Sequence, residues 1–387
     1  MEKINILEVL DCYYPKFDGP TLVITSYCKS FIKQNPEITP TVVVPRFPKY
    51  VDNQPFKVIR TESIKSAEGY YAGLPEFDSK LKKFLKENKI DLIHFHSPFT
   101  MGHFFAKYGK KHKIPTIFTF HTKYKEDFER TLKLKSLQKF MMNYIMKAIK
   151  KADYVWTVSN GAADVLREYG YKGNIEVIRN GTDLVFPENA EELIEKVNNT
   201  YNLKQEENVF LSVGRMVENK KLDLALNAFK IVKDKGYNFK YLMVGDGLYL
   251  ETLKSRVEEL DLTSNVIFTG KIMDREFLSA HYLRSDLFIF PSTFDTASLA
   301  PIEAAAMKLP SIMTRGCSTA EIITEGVNGI LADETKEDWA EKICNFIDNK
   351  QKLQELKENA YKEVYKTWDQ VAEEVVARYK EILKDNQ

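Results

Sequence analysis

The stretch VFLSVGRMVENKKLDLALNAFKIVKDKGYNFKYLMVGDG (209–247) decides the fold. Its β-rich runs, VFLSVG (209–214) and FKYLMVGDG (239–247), flank a helical pattern, which is the strand-turn-helix rhythm of a parallel sheet. The rhythm continues through VIFTG (266–270), DLFIFPS (286–292) and PSIMTRG (310–316). Working back towards the N-terminus, the same reading gives strands at INILEVL (4–10), TPTVVVP (39–45), FKVIR (56–60), DLIHFH (91–96), TIFTF (116–120), YVWTVS (154–159) and IEVIRNG (175–181). Helical patterns such as FDSKLKKFLKEN (77–88) lie between most of them. The class is α/β, with doubly wound sheets covered by helices on both faces.

A chain of 387 residues exceeds the size at which one hydrophobic core stops growing, so two domains are expected. The polar stretch 182–208, which contains Pro187, breaks the strand rhythm and reads as a linker. The expected domains are therefore 1–185 and 186–366. The pattern TWDQVAEEVVARYKEILK (367–384) reads as a long terminal helix, and residues 367–387 are expected to pack back on the first domain.

Lys and Arg number 56 against 55 Asp and Glu, which removes any global field for nucleic acid and leaves local clusters to be examined. No apolar run reaches the roughly 18 residues of a spanning helix. The N-terminus carries Glu2 and Glu8 inside its apolar run and reads as a strand rather than a secretion signal. Cys12, Cys28, Cys317 and Cys344 have neither zinc-site spacing nor the density of a disulfide scaffold, so they read as core thiols of a cytoplasmic protein.

In open α/β sheets ligands bind beyond the carboxyl ends of strands, so polar residues just after strands carry the chemistry. In VGRMVENKK (213–221) a strand ends at Gly214, Arg215 and Lys220 follow, and a helix starts at once. Two cations beside a helix N-terminus suit a leaving diphosphate, although by spacing alone two solvated charges explain them as well. In PSTFDTASLAPIEAAAMKLPSI (291–312), Asp295 is read at a helix start and Glu303 two turns inside. Both carboxylates are suited to accept from sugar or ribose hydroxyls; an N-cap Asp and an exposed Glu are the plainer alternative, which the apolar run around Glu303 disfavours.

The ordered set GR-x4-K, VGDG (244–247), FTG (268–270) and PS-x2-D-x7-EA resembles the family 4 retaining glycosyltransferases of the GT-B fold. FDGP (17–20), HFHSPF (94–99), TFHTKY (119–124), ADYVWTVS (152–159) and VIRNGTD (177–183) extend the likeness over nearly the whole chain. The resemblance implies two Rossmann-like domains facing each other across a cleft. It also implies a nucleoside-diphosphate sugar as co-substrate, a UDP-sugar being favoured, with Arg215 and Lys220 on the diphosphate and Glu303 on the ribose. Asp295 falls where the family has a glutamate reaching the transferred sugar, which keeps the charge and shortens the reach by one methylene. Thr296, Ser298 and Leu299 fall on the donor side, Ser298 replacing a glycine whose N–H approaches the phosphate. Lys221 replaces a glycine after the phosphate-binding lysine. Gly270, Lys271 and Ile272 match the backbone that contacts the base, whereas Gly245 and Gly247 read as a tight strand-end turn. Gly19 matches the glycine-rich turn after the first strand, and His121 a histidine lining the reaction centre. His94, His96 and Lys123 fall on the acceptor side. For the two histidines, which alternate along one strand, core packing and acceptor contact both stand open.

The implied chemistry is retaining transfer without a protein nucleophile or a metal, since no Asp-x-Asp pair appears and the cations can neutralise the diphosphate. The segment Leu132–Lys151 holds six lysines and no acid among apolar residues. It reads either as a domain helix with a solvated lysine face or as a contact with an anionic membrane. KYGKKHK (107–113) adds a second cluster, which favours a lipid or lipid-linked glycan acceptor on the inner face of the plasma membrane. The rivals are transfer to a soluble glycan, protein or small molecule, a non-catalytic sugar-nucleotide-binding subunit, and an epimerase or phosphorylase of the same fold.

Overall fold

A computed structural model describes residues 3–16, 18–66, 69–349 and 353–386; Phe17 of the FDGP stretch lies outside them. The chain forms two compact units, Met1–Asn180 with Trp368–Gln387, and Gly181–Thr367.

In the first unit, β1 (Ile4–Val9), α1 (Gly19–Gln34), β2 (Ile38–Pro45) and β3 (Lys57–Thr61) lead to a small hairpin of β4 (Ser63–Lys65) and β5 (Tyr71–Gly73). Then follow α2 (Ser79–Glu87), β6 (Leu92–Phe95), α3 (Thr100–His112), β7 (Thr116–Phe120), α4 (Tyr124–Thr131), α5 (Lys135–Ile149), β8 (Tyr154–Thr157), α6 (Asn160–Glu168) and β9 (Glu176–Val177). Seven parallel strands stand in the order β3-β2-β1-β6-β7-β8-β9. The strand expected over 175–181 pairs only at Glu176 and Val177, at the sheet edge.

The second unit runs α7 (Ala190–Tyr201), β10 (Asn208–Val213), α8 (Leu222–Asp234), β11 (Phe239–Val244), α9 (Leu250–Glu259), β12 (Val266–Gly270), α10 (Arg275–Arg284), β13 (Leu287–Phe290), α11 (Ala300–Ala306), β14 (Ser311–Thr314), β15 (Gly329–Ala332), α12 (Lys336–Asp348) and α13 (Leu353–Glu363). Its six parallel strands have the order β12-β11-β10-β13-β14-β15, in which the chain winds one way from β10 and then the other. Such a reversal leaves the carboxyl ends of the two central strands open between diverging connections.

The polar stretch 182–208 is not a linker. It contains α7, whose Leu193 and Val197, one turn apart, are buried in the second unit's core, while Tyr201 is hydrogen-bonded to His281 of α10 at 2.9 Å. Residues 181–185 belong with it because the Thr182 N–H donates to the Lys366 carbonyl at 2.9 Å and Thr182 bridges to Thr367.

The last helix, α14 (Trp368–Asp385), belongs to the first unit. Val371, Ala372, Val375, Val376, Tyr379 and Ile382 repeat at helical spacing and are all buried. Tyr379 stacks on Trp156 (centroids 5.8 Å apart, planes 11° apart), Trp368 meets Tyr27 edge-on, and Arg378 grips both carboxylate oxygens of Glu176 at 2.7 Å.

Candidate functional site

The loop after β10 is fixed by its neighbour after β11. The Met216 N–H donates to the Asp246 carbonyl at 2.9 Å, and the Tyr249 N–H donates back to the Met216 carbonyl at 3.0 Å. A β-carbon on Gly245 would lie 1.9 Å from the Gly214 carbonyl oxygen, and one on Gly247 2.2 Å from that of Met216. Only glycine allows this approach, so VGDG positions the Arg215 loop.

Lys220 ends a short 3-10 turn (Glu218–Lys220), and Lys221 follows with φ 51° and ψ 35°. That is the left-handed conformation glycine takes without strain, here imposed on a lysine at a cost of roughly 1 kcal/mol. The Lys221 ammonium is carried away to Glu334. Lys220 turns instead to Asp295, donating to its two oxygens at 2.6 and 2.8 Å, with each side chain less than one-fifth exposed. Ser292 donates to the same carboxylate, and the Lys220 ammonium lies 5.7 Å from the Phe290 ring centre. Arg215 is exposed, and its side chain makes no hydrogen bond or ion pair with a described residue. A recess enclosing about 360 Å³, open to solvent, lies among Gly214, Arg215, Lys220, Phe290 and Ser292, where the carboxyl ends of β10 and β13 diverge.

Asp295 does not start a helix and Glu303 is not two turns inside one. Residues 293–299 form an irregular, bent loop, and α11 begins at Ala300 with Pro301 in its first turn, so Glu303 lies in that first turn. The intervening loop is held by Thr319, a residue sequence reasoning missed. Its hydroxyl donates to the Asp295 carbonyl at 3.3 Å and lies 3.4 Å from the Ser298 N–H. Glu303 is buried with both oxygens engaged: Arg275 donates to one and Tyr282 to the other, each at 2.9 Å. Arg275 also binds Asp183, which ties the NGTD stretch to this carboxylate. Sequence reasoning missed Arg275 and Tyr282 because they come from α10, a helix that carries none of the recognised motifs. Thr296 is buried, Ser298, Leu299, Gly270 and Ile272 are half-buried, and Lys271 is exposed.

In the first unit Gly19 is the first residue of α1, capped by Asp18, rather than part of a turn; a β-carbon on it would meet open space. His121 follows β7 and is nearly buried. Its Nε2 is hydrogen-bonded to His96 Nδ1 at 2.9 Å, and His96 Nε2 to Glu8 at 2.8 Å. His94 has no exposed surface and spends both ring nitrogens, on Tyr379 and on Thr119, each at 2.6 Å. Core packing therefore settles His94, and it is corrected from the acceptor side; His96 is likewise buried, one step behind His121. Lys123 precedes α4 and is half-buried. Donor atoms of Glu8, His94 and His96 lie within 4.8 Å of one another, a spacing a metal ion could bridge, but the same atoms are occupied by hydrogen bonds within the cluster.

Residues 19–186 match Glycosyltransferase Family 4 and residues 194–363 match Glycosyl transferases group 1, together most of the chain. The chain belongs to the family 4 glycosyltransferases of the GT-B fold. It is 27% identical over 331 residues to the alpha-monoglucosyldiacylglycerol synthase of Streptococcus pneumoniae, covering 83% of this chain and 73% of the relative. The enzyme of the same name from Acholeplasma laidlawii is 23% identical, over 90% of each chain. Among solved structures, sucrose-phosphate synthase from Thermosynechococcus elongatus superposes with a TM-score of 0.79 at 17% identity, over 99% of this chain and all of that one. The Anabaena protein HepE in complex with UDP does so with 0.77 at 16%, over 98% of this chain and all of that one. As a glycosyltransferase of this fold, the chain carries its cationic pair at the strand-order reversal of the second unit.

The buried cluster of the first unit is electrostatically unusual. Burial raises the Glu8 carboxyl to about 8, partly opposed by the hydrogen bond from Tyr379. Burial also lowers the His96 imidazole to about 3 and holds His94 and His121 well below their ordinary value. The three histidines take up protons more readily when unfolded, so they weaken the fold as pH drops below 6.5. Glu8 works the other way: it binds its proton more tightly when folded, and its contribution is lost as pH rises from 4.5 through about 8. With three groups against one, the cluster's net contribution peaks near pH 6.5. Urea unfolding as a function of pH is expected to show a loss of stability between pH 6.5 and 8 in the wild type that is absent from Glu8→Gln. Parallel curves for the two proteins would contradict the placement of an ionisable carboxyl in this core.

Proposed function

We propose that the protein transfers a sugar, with retention, from a nucleoside-diphosphate sugar to a hydroxyl of a lipid or lipid-linked glycan at the inner face of the plasma membrane. The observation that carries the donor half is the Arg215 side chain, without a partner among the described residues, beside the Lys220–Asp295 pair at the open carboxyl ends of β10 and β13. A diphosphate entering there meets a guanidinium ready to bind it and an ammonium held in place by a carboxylate it can exchange for phosphate oxygens. Asp295, once released, accepts from a hydroxyl of the transferred sugar. Glu303, held by Arg275 and Tyr282, retains lone pairs for the ribose, since each carboxylate oxygen has two. The family resemblance assigns Gly19 to the phosphates and His121 to the reaction centre, and a β-carbon on Gly19 would meet open space. Stabilisation of the departing charge by Arg215 and Lys220 supplies the main catalytic effect, and no metal is required. HepE, a neighbour in fold, was solved with UDP-glucose, which supports a UDP-sugar as donor.

Arg215→Ala and Lys220→Ala are each expected to lose about a hundredfold or more in kcat while remaining folded, and wild-type transfer is expected to survive EDTA. Diphosphate release from a panel of uridine and guanosine sugar nucleotides measures both. Near-normal turnover in the variants refutes the phosphate assignment, and binding without turnover in the wild type identifies a non-catalytic subunit instead.

The acceptor half rests on the start of α5. Among the described residues no helix is long and apolar enough to cross a membrane. Yet Leu134 is 65%, Leu137 41% and Phe140 62% exposed, interleaved with exposed Lys133, Lys135 and Lys139. Ile145, by contrast, is wholly in the core and Met141 is half-buried, so only the first half of the helix presents an apolar and cationic surface. The two relatives named monoglucosyldiacylglycerol synthases support a lipid acceptor. Each lysine at an anionic surface contributes on the order of 1 kcal/mol, and the three apolar side chains add burial. The protein is expected to co-sediment with vesicles containing anionic lipid, less at high salt, and Lys133→Gln, Lys135→Gln and Lys139→Gln combined should abolish it. Failure of the wild type to bind such vesicles makes a soluble glycan the acceptor.

A further inference from the structure

In the recess of the second unit one of the two cations is already spent. Lys220 follows β10 and Asp295 follows β13, and the ammonium gives two of its three protons to the carboxylate, at 2.6 and 2.8 Å. Ser292 donates to the same carboxylate, and the Thr319 hydroxyl holds the Asp295 carbonyl at 3.3 Å. Both charged side chains are more than four-fifths covered, so water and salt screen their attraction only weakly.

The closed pair changes what the recess offers an anion. Arg215, whose side chain has no partner among the described residues, presents its whole guanidinium. Lys220 has a third proton, but an oxyanion that takes it must share the ammonium with Asp295. Two anions on one cation repel each other. An oxyanion that displaces Asp295 altogether leaves the carboxylate with the Ser292 hydroxyl as its remaining hydrogen-bond donor among the described residues. By either route the charge of Asp295 subtracts from the affinity for an anion.

A sugar nucleotide changes the balance. The carboxylate that leaves Lys220 is an acceptor with about two lone pairs on each oxygen, and a hydroxyl of the transferred sugar replaces the bond the ammonium gave up. The bare nucleoside diphosphate has no transferred sugar, so it opens the pair with nothing to replace it.

We infer that Asp295 is a specificity-determining residue: it occupies Lys220 when the recess is empty, and so makes the recess favour a diphosphate that carries a sugar over the same diphosphate without one. This role rests on the proposed function, which puts the diphosphate on Arg215 and Lys220 and a sugar hydroxyl on Asp295. Its consequence for turnover is that the product is held less tightly than the donor, so Asp295 opposes product inhibition. The property that matters is charge, which glutamate keeps and asparagine and serine lose.

The test is calorimetry on the full-length protein with inorganic pyrophosphate, UDP, GDP and the sugar nucleotide that gives the highest turnover. Asp295→Asn and Asp295→Ser are each expected to bind pyrophosphate and the bare nucleotide about tenfold tighter than the wild type, while Asp295→Glu stays within about threefold of it. Affinity of the neutral variants for the sugar nucleotide rises less or falls, so the preference for the sugar-bearing ligand shrinks, and inhibition of turnover by the bare nucleotide strengthens in step. Two neutral side chains of different shape are used so that a folding defect in one leaves the other to decide. Pyrophosphate binding that is no tighter in the neutral variants, or that tightens as much in Asp295→Glu, overturns the inference. So does an unchanged preference for the sugar-bearing ligand. Tighter pyrophosphate binding in the neutral variants, with no nucleotide or sugar nucleotide bound by any of the proteins, defeats the donor assignment and leaves Asp295 as the occupant of an anion site.

Discussion

An open parallel sheet whose one-handed crossovers cover both faces must reverse its direction of winding somewhere, and the two strands at that reversal send their connections apart. In the second unit the strands are β10 and β13, and the groups that meet around the recess hang from their carboxyl ends: Arg215 and Lys220 after one, Ser292 and Asp295 after the other. Neither loop is self-supporting. One is pinned by backbone hydrogen bonds to the loop after β11, which Gly245 and Gly247 allow to come close, and the other by Thr319. Among the described residues the Lys220–Asp295 ion pair is the charged contact that crosses the opening, so its strength bears on how readily the recess accepts an anion.

Much of this was legible from sequence because strand periodicity and strand-end residues are local signals. The runs at VFLSVG, FKYLMVGDG and DLFIFPS became β10, β11 and β13, and polar residues following β10 and β13 are those that meet around the recess. The signal failed where the determinant was tertiary. IEVIRNG looks like a strand, but at the sheet edge it finds a partner for only two residues. The stretch 182–208 looks like a linker because its helix buries only a narrow stripe around Leu193 and Val197. Asp295 was misread as a helix start because a seven-residue loop held by Thr319 and Lys220 has no distinctive composition.

The same limit applies to the polar networks. Glu303 could be singled out as a carboxylate in an apolar run, yet nothing near it in sequence names Arg275 and Tyr282 as its partners, which lie 28 and 21 residues away. Glu8 could be noted only as an oddity in the first strand. Its partners come from the residue just after β6 and from α14, the latter 371 residues away along the chain. Long-range polar pairing is specified by which strands become neighbours, and single-sequence patterns do not carry that information. Lys221 is the converse case: the position was flagged by a missing glycine, and the backbone kept the glycine's conformation despite the substitution.

The placement of α14 has a consequence for how the protein is made. Residues 368–387 complete the first unit, yet the ribosome delivers them only after the whole of the second. The second unit is contiguous and can fold as it emerges, whereas the first must wait, its sheet already formed but the groove that receives Trp368, Val375 and Tyr379 uncovered. During that interval Glu8 and His94 lack their tyrosine partner and Trp156 lacks its stacking surface. The nascent chain therefore exposes an apolar groove with a carboxylate at its floor for as long as it takes to synthesise some two hundred residues, a window in which chaperone capture competes with aggregation.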